Sequence, residues 1–149
     1  MLHRLAEVSD RTDVGLLWLR FLQATAEVMP CALCRHHLTQ YLRTHTVLKI
    51  SDPHRVTGEA VRERIRRDLL TIHNDVNQRL TKPLFTYEQL ITEYSTGSRQ
   101  EILLEVSQLW EFNRTIFLEY YTRRMSMTAY NNWKQIYSLI YALVLGGPN

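Results

Sequence analysis

VGLLWLRFLQATAEVMPCALCRHHL, residues 14–38, decides the architecture of this chain. Val14, Leu17, Trp18, Phe21, Leu22, Thr25 and Val28 recur at helical spacing, so residues 11–29 read as an amphipathic helix with Asp10 available as its cap. Pro30 stops that helix, because proline has no N–H to give to a helix interior. A second helix then starts at the cysteines and runs to about Thr46. No strand-like alternation interrupts the helical pattern, and no period suggests an internal repeat.

After a turn-rich linker around Ser51, Asp52, Pro53 and Gly58, a third helix is predicted over about Glu59 to Thr81. Its inner face is marked by Val61, Ile65, Leu69, Ile72, Val76 and Leu80, and Pro83 ends it. Thr86 with Gln89 and Ser98 with Glu101 have capping-box spacing. The first opens a short helix to about Tyr94, the second a long one to about Arg124, and a last helix spans roughly 128–145. On the long helix Leu103, Val106, Leu109, Trp110, Asn113, Phe117 and Tyr120 form one stripe; on the last, Trp133, Ile136, Tyr137, Ile140 and Val144 do the same. The expected fold is all-α, a four-helix-bundle-like core with a short extra helix and a C-terminal helical hairpin. Residues 95–98 are the best boundary, dividing a core, 1–97, from an extension, 98–149, packed on it or lying at an interface.

With 149 residues, 45% hydrophobic and 22% charged, the chain can bury a core without help from a metal or a disulfide. Its only two cysteines are therefore free for chemistry. The net charge of +3 suits a phosphate-bearing ligand as well as nucleic acid. Arg62, Arg64, Arg66 and Arg67 crowd one helix, where charges so close point several ways and read as a solvated face. No segment has the apolar core of a signal peptide, and Ile136 to Leu145 is too short to span a membrane. A cytoplasmic location is the expectation.

Cys31, Cys34, His37 and Tyr41 share one helical face, with Cys31 at the helix N-terminus. Backbone donors and the macrodipole there favour a thiolate, which suits disulfide exchange. A c-type haem is excluded because Arg35, not histidine, follows the second cysteine. Zinc held by Cys31, Cys34, His37 and a distant His45 or His54 stays open, as does an inert pair of buried cysteines. In HNDVNQRLTKP, residues 73–83, His73 and Asn77 fall on the inward stripe, and leaving each unpartnered there would cost about 1 to 3 kcal/mol. With Lys82 near the helix end, they suggest a cofactor wall.

These residues resemble the Erv/ALR family of FAD-dependent sulfhydryl oxidases. Two family motifs are present in order: CxxC with a histidine three residues on, here Cys31, Cys34 and His37; and HNxVNxxLxKP, here His73, Asn74, Val76, Asn77, Leu80, Lys82 and Pro83. LHRLA, residues 2–6, is similar to a further segment whose histidine would be His3. The family tryptophan upstream of it is absent, Asp68 stands where many members have tryptophan, and no additional cysteine pair is present. In this the chain resembles the compact virus-encoded members, for which the location would be host cytoplasm or virion.

The resemblance implies FAD between the helices. Its contacts would be His3, Cys34, His37, Tyr41, His73, Asn74, Val76, Asn77, Leu80, Lys82 and Tyr87, with Cys31 and Cys34 catalytic. It implies oxidation of protein thiols to a disulfide with dioxygen reduced to hydrogen peroxide, substrate thiolate attacking Cys31 at the helix tip while Cys34 faces the flavin. The implied partners are a thiol-bearing protein, such as a thioredoxin-like relay, and a second copy of the chain in a homodimer, with the hairpin contributing to the contact. Neither nucleic acid nor a membrane is expected. The alternative is a zinc-stabilised helical binding module built on Cys31, Cys34 and His37.

Overall fold

The computed structural model describes residues 1–49, 55–121 and 126–149, with the backbone alone at 119–121. Ser51, Asp52, Pro53, His54 and Arg124, and the side chain of Tyr120, lie outside the described residues. Within them the chain is all helical: α1 (Leu2–Glu7), a 3₁₀ turn (Thr12–Val14), α2 (Gly15–Val28), α3 (Ala32–Thr44), α4 (Gly58–Arg79), α5 (Tyr87–Tyr94), α6 (Arg99–Tyr121) and α7 (Met127–Leu145). The capping box at Thr86 and Gln89 forms with both of its hydrogen bonds. At the start of α6, Ser98 and Glu101 likewise exchange theirs, at 2.7 and 3.3 Å.

The most extensive helix pairing is α2 with α7. Trp18, Phe21, Leu22 and Val28 from α2 and Trp133, Tyr137, Ile140 and Val144 from α7 are all buried in one continuous apolar cluster. Each large side chain so buried contributes about 1.5 to 3 kcal/mol. Trp110 of α6 lies flat on Tyr137, ring centroids 3.6 Å apart, and meets Trp133 at 4.1 Å. The aromatic stripe of the C-terminal helices is thus spent inside the fold. What α6 leaves exposed is Leu104, Phe112 and Ile116.

Three expectations are corrected. Leu2–Glu7 is a helix that was not anticipated, and it packs against α4 and α6. Asp10 does not cap α2; its carboxylate accepts two hydrogen bonds from Arg99 Nη1, at 2.9 and 3.0 Å, and pairs with Arg62 at 3.6 Å. Arg99 also donates to the carbonyls of Val8 and Val144, tying the end of α1 to the end of α7. The arginines of α4 are not a free solvated face either, since each meets a carboxylate. Arg66 bonds buried Glu7 at 3.0 Å, Arg62 pairs with Glu59, Arg64 with Asp68 and Arg67 with Glu63. Removing one partner of a buried pair such as Glu7–Arg66 costs about 3 to 5 kcal/mol, because the other charge is left unmatched.

Gly58, the first residue of α4, has a constraint invisible in its sequence context. A Cβ there would stand 1.8 Å from the carbonyl oxygen of Asp10, a contact with backbone rather than with a movable side chain. Gly58→Ala is therefore expected to lower stability by about 3 kcal/mol, the upper range for overpacking. The urea midpoint measures it, and an unchanged midpoint would mean that Asp10 can retreat at no cost.

Candidate active site

Val28 ends α2, Met29 and Pro30 carry the chain around, and Cys31 takes the N-cap position of α3 with extended backbone. Its sulfur accepts a hydrogen bond from the Cys34 N–H at 3.1 Å, and the two cysteines are joined as a disulfide with Cα atoms 5.2 Å apart. Both residues are exposed. Their difference is one of direction: Cys34 lines a groove between α3 and α4, and Cys31 does not.

That groove encloses about 320 Å³. Leu33, Cys34, His37, Leu38 and Tyr41 form its α3 wall; Ile72, Asp75, Val76, Arg79 and Leu80 form its α4 wall; Met29 closes one end. Leu33, Val76 and Leu80 are 63%, 43% and 56% exposed although they line it. The inner stripe of α4 therefore does not continue to Leu80 as anticipated. Val61, Ile65 and Leu69 are buried, Ile72 is half-buried, and beyond it Val76 and Leu80 are only partly covered by protein. Tyr41 is buried at the groove wall, stacked on His45 at 4.0 Å. Burial, with Asp75 and Asp68 nearby, pushes its phenol pKa up and keeps it a neutral hydroxyl.

A cluster of rings lies on the adjoining side of α4. His3 Nε2 and His73 Nδ1 are 3.3 Å apart; His3 stacks on Tyr94 at 4.5 Å and His73 on Phe85 at 5.7 Å. The other ring nitrogen of His3, Nδ1, is buried and finds no hydrogen-bond partner among the described residues.

A family description, the Erv1 / Alr family, matches residues 3–95. The chain belongs to the Erv1/Alr family. Its members are FAD-binding flavoproteins and generally thiol oxidases. Among the curated proteins and the solved structures, none matches the chain.

The expected contact residues divide into three groups in this Erv1/Alr chain. Cys34, His37, Tyr41, Val76 and Leu80 come together in the groove, while His3 and His73 meet in the ring cluster. The remainder have other engagements. Asn74 exchanges two 2.8 Å hydrogen bonds with the backbone of Phe85, and Asn77 Nδ2 donates to the Pro83 carbonyl at 3.1 Å, so both amides fasten the loop after α4. His73 and Asn77 are half-buried rather than in the core, and both are bonded to protein, so the partners that burial demands are supplied at least in part by the chain itself. Lys82 is exposed and outside the groove, and Tyr87 gives its hydroxyl to Glu63 beneath the guanidinium of Arg67, 4.3 Å from the ring centre. Leu33, Leu38, Ile72 and Arg79 were overlooked, although each lies on the same helical face as a predicted residue. Phe85 and Tyr94 left no signal, since only the fold brings them to the histidines.

Asp68, where many members have tryptophan, accepts hydrogen bonds from the Leu48 N–H and from Arg64 Nε, both at 2.7 Å. It holds Leu48, whose φ of +54° is left-handed, against α4. Of the zinc ligands considered, His54 lies outside the described residues; Cys31 and Cys34 are joined to each other, and among the described residues no group of three His, Cys, Asp or Glu side chains could hold a metal. Among them, too, no helix is long and apolar enough to cross a membrane.

Burial, then the neighbouring His73, pushes the His3 pKa from 6.5 down to about 4. Below pH 6.5 the unfolded chain takes up a proton at His3 that the folded chain refuses until about pH 4, so stability falls as pH drops through that window. His3→Gln is expected to flatten this part of the stability profile. Identical slopes for the two proteins in urea titrations from pH 7 to 4 would contradict the assignment.

Proposed function

We propose that this chain is a FAD-linked sulfhydryl oxidase whose Cys31–Cys34 disulfide accepts electrons from a protein dithiol. The observation that carries the reading is a disulfide at the edge of a groove whose apolar walls the protein leaves uncovered. The groove fits a flat aromatic cofactor: Leu33, Val76 and Leu80 offer apolar surface, Tyr41 a neutral hydroxyl, and Arg79 a cation held by Asp75 at 3.0 Å. The unpartnered Nδ1 of His3 is a further polar atom able to take a ligand. His37 and Tyr41 from α3 and Val76 and Leu80 from α4 would hold FAD there, with His3 and His73 flanking it. Asn74, Asn77, Lys82 and Tyr87 would shape the surrounding loop.

The chemistry of the chain itself is one thiol–disulfide exchange in two steps. A substrate thiolate attacks Sγ of Cys31, exposed at the helix tip; the Cys31–Cys34 bond breaks and Cys34 leaves as a thiolate. A second substrate thiolate then attacks the substrate sulfur of the mixed disulfide, forming the substrate disulfide and releasing the Cys31 thiolate. That thiolate is favoured where it forms, because the Cys34 N–H points at it across 3.1 Å at the positive end of α3. Two electrons have moved from substrate to the enzyme pair, and the two substrate thiol protons are released or retained by the cysteines. Bound FAD would supply the two-electron oxidation that restores the enzyme disulfide and carries the electrons to dioxygen, giving hydrogen peroxide, which side chains cannot do.

Residues 1–97 contain every residue assigned to the site, and 98–149 cover the outer side of α2 and α1. The division is one of roles rather than of separate cores, since a single apolar cluster crosses it. A homodimer in this reading would use Leu104, Phe112 and Ile116, because the tryptophans of the C-terminal helices are buried. The thiol partner is a protein, a thioredoxin-like relay being one form of it.

Leu80 is 56% exposed at the C-cap of α4, so Leu80→Asp is expected to lower the stability of the FAD-free protein by no more than about 1 kcal/mol, the cost of a carboxylate at the negative end of a helix. The same change should weaken FAD retention at least about tenfold and reduce thiol-dependent oxygen consumption in step, since a carboxylate would face the cofactor in its apolar groove. Full flavin content in the variant, measured by absorbance after gel filtration, would remove the groove from the proposal.

A further inference from the structure

The positive charges of the described chain fall into two classes. Arg4, Arg62, Arg64, Arg66, Arg67 and Arg99 are each within ion-pair distance of a carboxylate. On α3 the situation reverses. From Val28 through Lys49 the sequence contains no Asp or Glu, yet it carries Arg35, Arg43 and Lys49. Arg35 and Arg43 make no ion pair with any described residue. The acids of neighbouring elements do not neutralise them: Asp75 is held by Arg79 at 3.0 Å and Asp68 by Arg64 and the Leu48 N–H. Glu27 lines a hollow between α2 and α3 with Arg43, without pairing to it.

Uncompensated charge thus gathers on the helix that presents the disulfide. Arg35 stands one helical turn beyond Cys31 on nearly the same side, His36 is exposed beside it, and Ala32 and Leu33 are open to solvent between the cysteines. A chain that pairs most of its arginines elsewhere leaves the approach to Cys31 cationic. We propose that this surface docks an acidic segment: the cysteines oxidised here belong to a protein stretch flanked by Asp or Glu. The proposal rests on the thiol-oxidase reading and names its substrate class.

Two effects act together. Opposite charge raises the rate of encounter, and it does so within a screening length of about 8 Å at physiological salt. The second effect is chemical. A cysteine among carboxylates has a raised pKa and few thiolates while free. Against Arg35, with the carboxylates matched, the thiolate becomes favoured where it can attack Cys31. Acidic dithiols would react mainly when docked, which separates them from other thiols.

The test uses the FAD-loaded protein and two peptides with the same cysteine pair, one flanked by glutamates and one by lysines, with dithiothreitol as an uncharged reference. At low salt kcat/KM for the glutamate peptide is expected to exceed that for the lysine peptide by about tenfold or more, and the ratio should fall towards one as salt rises. Arg35→Gln and Arg43→Gln should each lower the ratio by about threefold. Because the two peptides are compared within each variant, a general change in disulfide reactivity cancels. Equal rates for both peptides at low salt, with dithiothreitol still oxidised, would overturn the docking proposal and leave the oxidase reading standing. If dithiothreitol is not turned over, the oxidase reading fails. The docking is then read from the rate of stoichiometric exchange of each peptide with the Cys31–Cys34 disulfide, and equal rates there overturn it. A short single-stranded oligonucleotide that blocks the glutamate peptide at concentrations far below that peptide's own KM would reassign the surface to nucleic acid and overturn it as well.

Discussion

The backbone of Asp10 lies so close to Gly58 that α4 can sit at only one height against the N-terminal segment. From that contact the first half of α4 is locked. Glu7 takes Arg66, Asp10 takes Arg62 and Arg99, and Val61, Ile65 and Leu69 are buried beneath them. The second half gains no such cover. Since α4 is 22 residues long, its last turns run past the buried part of its stripe, and Val76 and Leu80 remain open facing α3. The groove beside the disulfide follows from where α4 is anchored.

On the opposite wall, Pro30 separates α2 from α3 and sets Cys31 at a helix start, where its sulfur receives the Cys34 N–H. One turn on, Cys34 faces the groove. The disulfide and the open groove are therefore adjacent because a helix of one origin begins beside the uncovered end of another. The loop after α4 is held by Asn74 and Asn77, residues of the same HNxVN segment, so this stretch builds both the wall and its margin.

Much of this was legible in the sequence, and the omissions have physical causes. Helical period and capping pairs located α2 to α7 within a few residues, because long amphipathic stripes carry their own signal. At six residues, α1 is too short to show a period, and it is held by contacts with α4 and α6 that lie far off in sequence. Periodicity marked Val76 and Leu80 as apolar-facing, yet it cannot say whether protein or a ligand meets that face. Asp10 had the right residue type for a cap, but two arginines outcompeted the helix N–H groups for its carboxylate. Arg62 to Arg67 read as solvated because their acidic partners include Glu7, which is distant in the chain and buried.

The proposed electron path depends on Cys34, rather than Cys31, being the sulfur that adjoins the bound cofactor. The absorption spectrum of FAD-loaded Cys31→Ser protein, set beside that of Cys34→Ser, tests this most directly. A lone Cys34 thiolate against the flavin is predicted to give a long-wavelength charge-transfer band in Cys31→Ser and none in Cys34→Ser. A band in Cys34→Ser alone, or none in either, would contradict it.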